Sequence, residues 1–565
     1  MKFPWICGAH ALAMVLFFSL SAPAKELNLG APFDLQGFVD GELDSGNKRI
    51  VIPAGRHRVT PRNRVHLRLA GLENVEIDAR GAELICTETT RTVTIENCAN
   101  VTLRGLVIDY DPLPFTQGKI VEISPDGLTH DIELFAGYPF TGRVEGKKYE
   151  IFTPDTRTLR FGSYYGCAVT GTGPGRLRVV KPEHYRNKQP ERVGDIIAID
   201  CGNAPGGSIP HAVYVHNSRE VTLDSITLYA SNSFGFFESE CGGTVYQSCV
   251  VDRRPAAMDL KHRFDPRVRS LNADAFHSKH ASVGPRYFAC RARFQGDDCV
   301  AINGDYHMVT ACDGKALRVL AKREMNIAAG DTVELVSYSG ERHADARVVS
   351  VSRDGEISGG ERAFLSAQSM NEDLKNSRHG RLTRAYRVVL ESPVSLPMGS
   401  LIASTNRLGN GFKVVDCVFG FNRSRGILVK ASKGEIVGNV LEGCWMEAIK
   451  LAPEYWWLEA GSGIEVSIRD NVIRNCFNRA ISVTSTGGDG SVSPTGAHRD
   501  IVISGNRIED SPAPRILVTS TEGLTIVENT FVSSAGETSR LEDMIALERV
   551  HGVRVEGNEV SAPTP

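Results

Sequence analysis

Several features are scarce in this chain, and each scarcity excludes a class of protein. Long amphipathic runs with a period of 3.6 residues are hard to find in its 565 residues, which argues against a helical protein. Lys and Arg number 64 against 67 Asp and Glu, and no basic tract has interleaved aromatics, so nucleic acid is not an expected partner. Beyond the N-terminal segment, no stretch supplies the roughly 18 continuous apolar residues that a membrane span needs.

The N-terminus has the composition of a secretory signal. Lys2 precedes the apolar run ALAMVLFFSL and the small-residue stretch SAPA, a pattern typical of cleavage after Ala24. We therefore expect residues 1–24 to be a signal peptide and the mature chain to be periplasmic or secreted. The chain has 13 cysteines, and removal of Cys7 with the signal leaves 12, too few for the disulfide framework of a small secreted domain at this length.

Short β-branched runs recur instead of helices, as in VSIRDNVIRNC, IVISGNRIED and LTIVENTFVSS. Their shared turn position recurs at intervals of 22, 32, 35, 23 and 29 residues, taken between Cys417, Asn439, Asn471, Asn506, Asn529 and Asn558. The shortest interval is about one coil of a parallel β-solenoid, and the longer ones indicate coils with inserted loops. Asn at this position predicts a ladder of side-chain amides, and Cys249, Cys290 and Cys417 at the same position predict buried free thiols.

Two long segments break this rhythm, residues 115–195 and 312–405, and both alternate strands with hairpin-like turns. Each is several coils long, so we interpret them as small inserted antiparallel β-barrels that leave no open hairpin edges. The sequence therefore predicts an all-β protein, a parallel β-helix formed by residues 25–114, 196–311 and 406–565 and interrupted by two barrels.

An acidic cluster is the main chemical signal. The stretch RFQGDDCVAINGDYH places Asp297 and Asp298 side by side after Gly296, and LNADAFHSKH places Asp274 23 residues before Asp297. In a stack with coils of about 22 residues, Asp274 then lies one coil from the pair, with backbones about 5 Å apart. Neighbouring strand residues point to opposite faces, so both members of the pair face one cleft only if the chain bends there, which Gly296 favours.

Three clustered carboxylates suit glycoside hydrolysis. One protonated carboxyl donates to the leaving oxygen and an ionised one activates water, while like-charge repulsion raises one pKa and supplies the acid. A turn or a binding-only solenoid would have no reason to carry the self-repulsion of this cluster.

Two families resemble these motifs. NAD at 272–274 and GDDCVAI at 296–302 resemble the Asn-Thr-Asp and Gly-Asp-Asp motifs of polygalacturonases, glycoside hydrolase family 28, but the Gly-His-Gly motif of that family is missing. Over nearly the whole mature length the chain more closely resembles glycoside hydrolase family 110, the bacterial α-1,3-galactosidases. The shared features are DAFHS, GDD leading into INGDY, RGILVKAS with GEIVGNVLEGC, EYWWLEAGSG and the two barrel positions. Asn303-Gly304 departs from the family pattern, which commonly has His-Gly there.

The resemblance implies a right-handed parallel β-helix and an inverting exo-hydrolase that removes terminal α-1,3-linked galactose. It maps the catalytic residues onto Asp274, Asp297 and Asp298. We expect Asp297 to be the general acid, with Asp274 and Asp298 holding the water, and Asp298 is an equal alternative for the acid. The separation of acid and base should be about 6.5 to 9.5 Å for inversion, whereas about 5 Å would favour retention.

Further side chains are candidates for sugar contacts. Trp456 or Trp457 would stack on the apolar face of galactose. Hydrogen bonds to hydroxyl groups are expected from Glu238, His277, Asn303, Lys430, Glu454 and Glu459. HSKH offers no converging carboxylate for zinc, so we expect no metal and no cofactor. The alternative function is a polygalacturonase-like hydrolase or a lyase acting on an acidic polysaccharide.

Overall fold

The structure is a computed structural model that describes residues 30–140, 144–188, 190–200, 207–375, 381–533 and 540–561. The predicted signal peptide lies outside the described residues. Among the described residues, no helix has the length and apolar content that crossing a bilayer requires.

Most of the chain winds as a parallel β-helix, which confirms the predicted fold class. Each coil adds one short strand to each of three parallel sheets. Val65–Ala70, Glu73–Asp78 and Ala82–Cys86 form one such coil, and Arg91–Glu96 begins the next above Val65–Ala70. Alternate residues of the strands are buried, because each strand turns one face to the shared core and the other to solvent.

The three sheets contain 12, 12 and 13 strands. The stacked strands of sheet 1 are Val65–Ala70, Arg91–Glu96, Val213–His216, Phe236–Ser239, Phe276–Lys279, Val300–Asp305, Ile427–Val429, Ile449–Leu451, Ile481–Val483, Ile516–Thr519 and Ile545–Glu548, and Glu459–Ala460 pairs antiparallel with Val300–Asp305. Those of sheet 2 are Arg49–Val51, Glu73–Asp78, Ala99–Arg104, Thr222–Asp224, Val245–Gln247, Arg286–Phe288, Lys413–Val415, Gly434–Val437, Ile464–Arg469, His498–Ser504, Thr521–Val527 and His551–Glu556. Those of sheet 3 are Ala31–Pro32, Gly55–Val59, Ala82–Cys86, Val107–Tyr110, Thr227–Leu228, Val250–Val251, Arg291–Arg293, Val418–Gly420, Val440–Glu442, Val472–Arg474, Arg507–Glu509, Thr530–Val532 and Glu559–Ser561.

Two closed six-stranded antiparallel barrels interrupt the β-helix. Barrel 1 consists of Phe115–Ile123, Thr129–Leu134, Val144–Phe152, Leu159–Gly173, Arg176–Val180 and Ile196–Asp200. Barrel 2 consists of His307–Asp313, Ala316–Leu320, Thr332–Val336, Ala346–Glu356, Arg384–Leu390 and Leu401–Ser404. The first strand of barrel 2 begins before residue 312, the predicted boundary. Only Tyr306 separates this strand from Val300–Asp305 of sheet 1.

Helices are few and short in the described part of the chain. They are the α-helices Leu35–Asp44, Gly359–Ala367, Glu372–Lys375 and Leu541–Met544 and the 3₁₀ turns Glu183–Tyr185 and Thr405–Arg407. Asp34 caps Leu35–Asp44 by accepting from the Gly37 backbone N–H at 3.1 Å. Leu35 and Val39 of this helix are buried against the first coils, so the helix covers the N-terminal end of the core.

The predicted asparagine ladder is confirmed. Nδ2 of Asn439, Asn471 and Asn506 donates to Oδ1 of the next Asn at 2.9 Å, and Asn529 donates to Asn558 at 2.8 Å. The ladder continues into the cysteine column, where the Cys290 backbone N–H points at Cys417 Sγ at 3.3 Å. The eleven cysteines in the described residues are all free, and ten of them are buried, as predicted for Cys249, Cys290 and Cys417.

Candidate active site

The two motifs that carry the aspartates occupy the same turn in neighbouring coils, just before a strand of sheet 1. Phe276 pairs with Val300, so Asp274 and Asp298 hold equivalent positions two residues before these strand partners. Asp297 and Asp298 lie in the bend between Arg291–Arg293 and Val300–Asp305, outside either strand. The bend removes the strict alternation of a strand, and both carboxylates therefore reach the same cleft.

The next coil supplies the counter-charges at the same turn. Val300 pairs with Ile427, so the segment NRSRGILV at 422–429 aligns with QGDDCVAI at 295–302. This register places Arg425 beside Asp298 and Arg423 beside Gly296. The Arg425 backbone N–H donates to Asp298 Oδ1 at 2.8 Å, its Nη1 lies 3.4 Å from Oδ2, and Arg423 Nη2 contacts Asp297 Oδ2.

The three carboxylates converge in one cleft of about 510 Å³. One oxygen from each of Asp274, Asp297 and Asp298 lies within 4.8 Å of the other two. Asp274 and Asp298 lie deep, with 7 % and 6 % of their side chains exposed, whereas Asp297 is 32 % exposed. Solvent and substrate therefore reach Asp297 most directly.

Unequal surroundings separate the pKa values of the three carboxyls. Burial opposes ionisation of Asp297, but the charges of Arg423, Lys148 and Arg425 outweigh it, and the pKa of Asp297 is lowered. Burial first, and then the charges of Asp297 and Asp298, raise the pKa of Asp274 well above its usual value. The pKa of Asp298 is also raised, mainly by burial. In the free cleft Asp297 is the ionised member and Asp274 holds a proton most readily, so Arg423 opposes the expected role of Asp297 as general acid.

His277 supports Asp274 from the adjoining strand. Its Nδ1 lies 2.7 Å from Asp274 Oδ2, and its ring stacks on Phe234 with centroids 4.6 Å apart. Burial, with the nearby charge of Lys279, lowers the pKa of His277 to about 3, so the ring is neutral. The contact serves either state of Asp274, because Nδ1–H donates to the carboxylate and a bare Nδ1 accepts from the acid. Asn303 Nδ2 approaches His277 Nε2 at 3.3 Å on the other side.

Two further predicted carboxylates line the cleft and share one cation. Lys430 is almost fully buried, and its Nζ lies 3.0 Å from Glu454 Oε2 and also contacts Glu459 Oε2. Burial disfavours the Glu459 carboxylate, but Lys430, Lys279 and Lys322 together lower its pKa. Lys430 thus lies beneath the surface of the cleft, whereas Glu454 and Glu459 line the cleft and present acceptor oxygens to a sugar bound there.

The tryptophan pair divides between two cavities. Trp457 lines the cleft that contains the aspartates, while Trp456 lines an adjoining pocket of about 390 Å³. Arg425, Leu428 and Glu454 line both cavities, so the two are contiguous.

The predicted sugar contact of Glu238 is wrong. It is 0 % exposed and lies on the inner face of Phe236–Ser239, in register with Val215 and Ser278, whose Oγ donates to Glu238 Oε1 at 2.5 Å. Phe237 faces the cleft, and alternation along the strand turns Glu238 inward, where burial raises its pKa. Glu238 therefore cannot contact a substrate in the cleft.

The sequence interpretation missed several basic and aromatic side chains of the cleft. They are His211, Phe234, Phe237, Lys279, Lys322, Arg323, Arg381 and Arg425. Lys279 and Lys322 both contact the buried Asp305, at 3.0 and 2.7 Å. Burial lowers the pKa of Lys322 to about 8 despite that carboxylate. Only Arg425 had a local signal, since NRSRGILV repeats the pattern of QGDDCVAI once the inserted barrel is left out.

The aspartates are also the group whose spacing comes nearest to a metal site in the described part of the chain. Three carboxylate oxygens suit a hard cation such as Ca²⁺ or Mg²⁺. Here, however, Arg423 and Arg425 already supply the positive charge that would balance the carboxylates.

Fold and site together define a parallel β-helix protein with a cleft that contains three aspartates at the turns that precede sheet 1. The chain is 22 % identical over 499 residues to alpha-1,3-galactosidase B of Bacteroides thetaiotaomicron, covering 82 % of this chain and 74 % of that protein. It is also 22 % identical over 523 residues to alpha-1,3-galactosidase A of Shewanella woodyi, covering 87 % and 79 %.

Solved structures align over most of the chain but only loosely. The A-module of an Azotobacter vinelandii mannuronan C-5 epimerase covers 94 % of each chain at 10 % identity, with a TM-score of 0.34. The endo-xylogalacturonan hydrolase of Aspergillus tubingensis covers 93 % of this chain and 88 % of its own at 8 % identity, with a TM-score of 0.35. No known protein-family model matches the chain.

Proposed function

We propose that this protein is a glycoside hydrolase of the family 110 type that removes terminal α-1,3-linked galactose. The observation that carries the proposal is the convergence of Asp274, Asp297 and Asp298 in one cleft with pKa values shifted in opposite directions. A pair of carboxyls kept in different protonation states is what acid–base cleavage of a glycosidic bond requires. The distant relatives named alpha-1,3-galactosidase support the choice of sugar and linkage.

The charge distribution suggests the division of labour. Asp274 holds the proton for the leaving oxygen, and the ionised, more exposed Asp297 accepts a proton from the attacking water. Asp298 completes the cluster, and Arg425 fixes its carboxylate.

The expected outcome at the anomeric carbon is inversion. The 4.8 Å bound is shorter than the 6.5 to 9.5 Å typical of inverting enzymes, but it measures the nearest oxygens, whereas the range describes whole carboxyl groups. The expectation of inversion therefore rests on the resemblance to glycoside hydrolase family 110.

An exo mode is supported by the walls of the cleft. Lys322, Arg323 and Arg381 line it and all belong to the barrel 2 segment, which therefore bounds one side. Glu454, Glu459 and Trp457 bound another part. A cleft bounded by an inserted domain suits a chain end better than the middle of a polymer.

The test is a panel of disaccharides with terminal galactose linked α-1,3, α-1,4 or α-1,6, with free galactose measured by chromatography. We expect release from the α-1,3 compound, loss of about 10² to 10⁴-fold in Asp297→Asn and Asp274→Asn, and normal release by the surface control Asp470→Asn. No release by the wild type, or undiminished release by both cleft variants, would refute the proposal.

A second candidate has a specific observation in its favour. Lys279, Lys322, Arg323 and Arg381 line the same cleft, as expected for a protein acting on an acidic polysaccharide. Incubation with polygalacturonate distinguishes the two candidates. A lyase would generate an unsaturated product that absorbs in the ultraviolet and a hydrolase would generate new reducing ends, whereas an α-1,3-galactosidase would produce neither.

A further inference from the structure

Lys148 of barrel 1 reaches into the β-helix beneath the catalytic turns. Its side chain is nearly buried, and its Nζ donates to the backbone carbonyl of Gly296 at 2.9 Å and to that of Asn272. Gly296 immediately precedes Asp297, and Asn272 lies two residues before Asp274. One ammonium group therefore joins the two turns that carry the carboxylates.

Neighbouring contacts hold this ammonium in place. Glu150, on the same strand of barrel 1, lies 3.4 Å from Lys148 Nζ and receives Arg269 Nε at 2.8 Å. Arg269 Nη1 in turn donates to Asn272 Oδ1 at 3.0 Å, and Asn272 Nδ2 donates to the Pro114 carbonyl at 2.9 Å. The Asn272 turn is thus tied to the base of barrel 1 from both sides.

The Gly296 turn is fixed in the same way from the next coil. Arg423 Nε donates to the Gly296 carbonyl at 2.7 Å, so this oxygen accepts from Lys148 and Arg423 together. A Cβ added to Gly296 would lie 2.4 Å from Lys148 Nζ and 2.7 Å from the Asn272 carbonyl oxygen. The absence of a side chain at residue 296 is what admits the ammonium between the two turns.

We propose that Lys148 is a positioning residue for the reaction, and that barrel 1 sets the spacing of Asp274 and Asp297 through it. The inference deepens the proposed function and rests on it for the catalytic consequence. Among the described residues, the polar partners of Lys148 Nζ are two backbone carbonyls and Glu150, and Lys148 does not line the cleft. Lys148 therefore holds the reacting groups in place and does not itself touch the sugar. Catalysis that depends on two carboxyls and a water loses about 100-fold when one group shifts by about 1 Å.

The test replaces Lys148 by the unbranched, uncharged Met and compares it with Lys119→Met, an exposed lysine of barrel 1. We expect Lys148→Met to lower kcat about 100-fold with KM changed less than about threefold, because the groups that would bind the sugar are untouched. Added ammonium ion, which matches the one missing atom, should restore part of kcat in Lys148→Met, whereas sodium chloride at equal ionic strength should not. A parallel rise in KM, or equal rescue by both salts, would overturn the inference.

Gly296→Ala provides a second approach through the other side of the same contact. The added Cβ should displace Lys148, so Gly296→Ala should cost about as much in kcat as Lys148→Met, and the double variant should cost less than the product of the two. Independent, multiplicative losses would contradict the shared contact.

Crystal structures separate failure of this inference from failure of the proposed function. Lys148→Met should show the Asp274 and Asp297 carboxylates moved apart by about 1 Å relative to the wild type. Unchanged turns would overturn the positioning role even if galactose is released, and a wild type that releases no galactose would refute the proposed function whatever the turns do.

Discussion

Arg423 and Asp297 form an ion pair between neighbouring coils, with Arg423 Nη2 in contact with Asp297 Oδ2. Arg423 stands at the turn position that Gly296 occupies one coil earlier, so its guanidinium lies over the acidic pair. This relationship keeps Asp297 ionised and leaves the proton of the cluster to Asp274.

Removal of Arg423 should move the acidic limb of the pH profile. Asp297 must be ionised to act as the base, and its lowered pKa lets the wild type keep activity as the pH falls below the ordinary range of an aspartate. In Arg423→Gln the pKa of Asp297 rises, so kcat/KM should fall at a pH about one unit higher than in the wild type. The surface variant Arg469→Gln should leave the profile unchanged, and an unshifted limb in Arg423→Gln would contradict the assignment.

Asp274 and Asp297 should differ in their effect on an activated substrate. A nitrophenyl α-galactoside has a leaving group that needs no proton, so Asp274→Asn should keep most of its activity on it while losing about 10² to 10⁴-fold on a disaccharide. Asp297→Asn should be slow on both, and added azide should restore its rate by replacing the activated water. The reverse pattern would assign the acid to Asp297, the role expected for it from the sequence with Asp298 as an equal alternative.

The two tryptophans should act on different parts of the substrate. Trp457 shares the cleft with the aspartates, so Trp457→Ala should weaken inhibition by free galactose about tenfold through loss of ring stacking. Trp456 lines the adjoining pocket, so Trp456→Ala should leave galactose inhibition unchanged and raise KM for tri- and tetrasaccharides. Equal effects of both variants on galactose inhibition would contradict this division.

The asparagine ladder should contribute to stability without affecting the chemistry. Asn471 accepts from Asn439 Nδ2 and donates to Asn506 Oδ1, both at 2.9 Å and fully buried. Asn471→Ala removes the acceptor of the Asn439 backbone N–H and Nδ2 and the donor to the Ile436 carbonyl, all buried groups of the preceding coil. It should lower the free energy of unfolding by about 2 to 4 kcal/mol in urea titrations. Its kcat should equal that of the wild type at temperatures where it is folded. A loss below about 0.5 kcal/mol would show that water replaces the ladder.

Much of the fold could be predicted because the β-helix repeats itself. Stacked coils share one core, so every coil repeats the same pattern of a strand, a turn residue that is Asn or Cys, and a second strand. The ladder positions predicted from this pattern agree with the structure. The start of barrel 2 was not predictable, because Val300–Asp305 and His307–Asp313 form a nearly continuous extended segment, with only Tyr306 between them. Val300–Asp305 pairs with strands of the β-helix and His307–Asp313 pairs with strands of barrel 2, and this change of partner is set by tertiary structure.

The site was predictable where one coil separates its members. Asp274 precedes Asp298 by one coil, and the sequence interval alone indicated their proximity. Arg423 and Arg425 lie one coil further on, but barrel 2 is inserted before them. The number of residues between them and the aspartates therefore no longer indicates how many coils separate them. The contact of Lys148 could not be predicted from the sequence, because it depends on how barrel 1 packs against the β-helix. Glu238 was misassigned because acidity was given more weight than its alternation with Phe237.

Proton NMR of the hydrolysis of an α-1,3-linked galactobioside by the wild type, Asp274→Asn and Asp297→Asn tests the catalytic role of the three aspartates most directly. We expect β-galactose to appear first in the wild type, before mutarotation, and neither variant to release galactose at a measurable rate on the same timescale. Release of galactose by both variants at the rate of the wild type would contradict a catalytic role for the cluster.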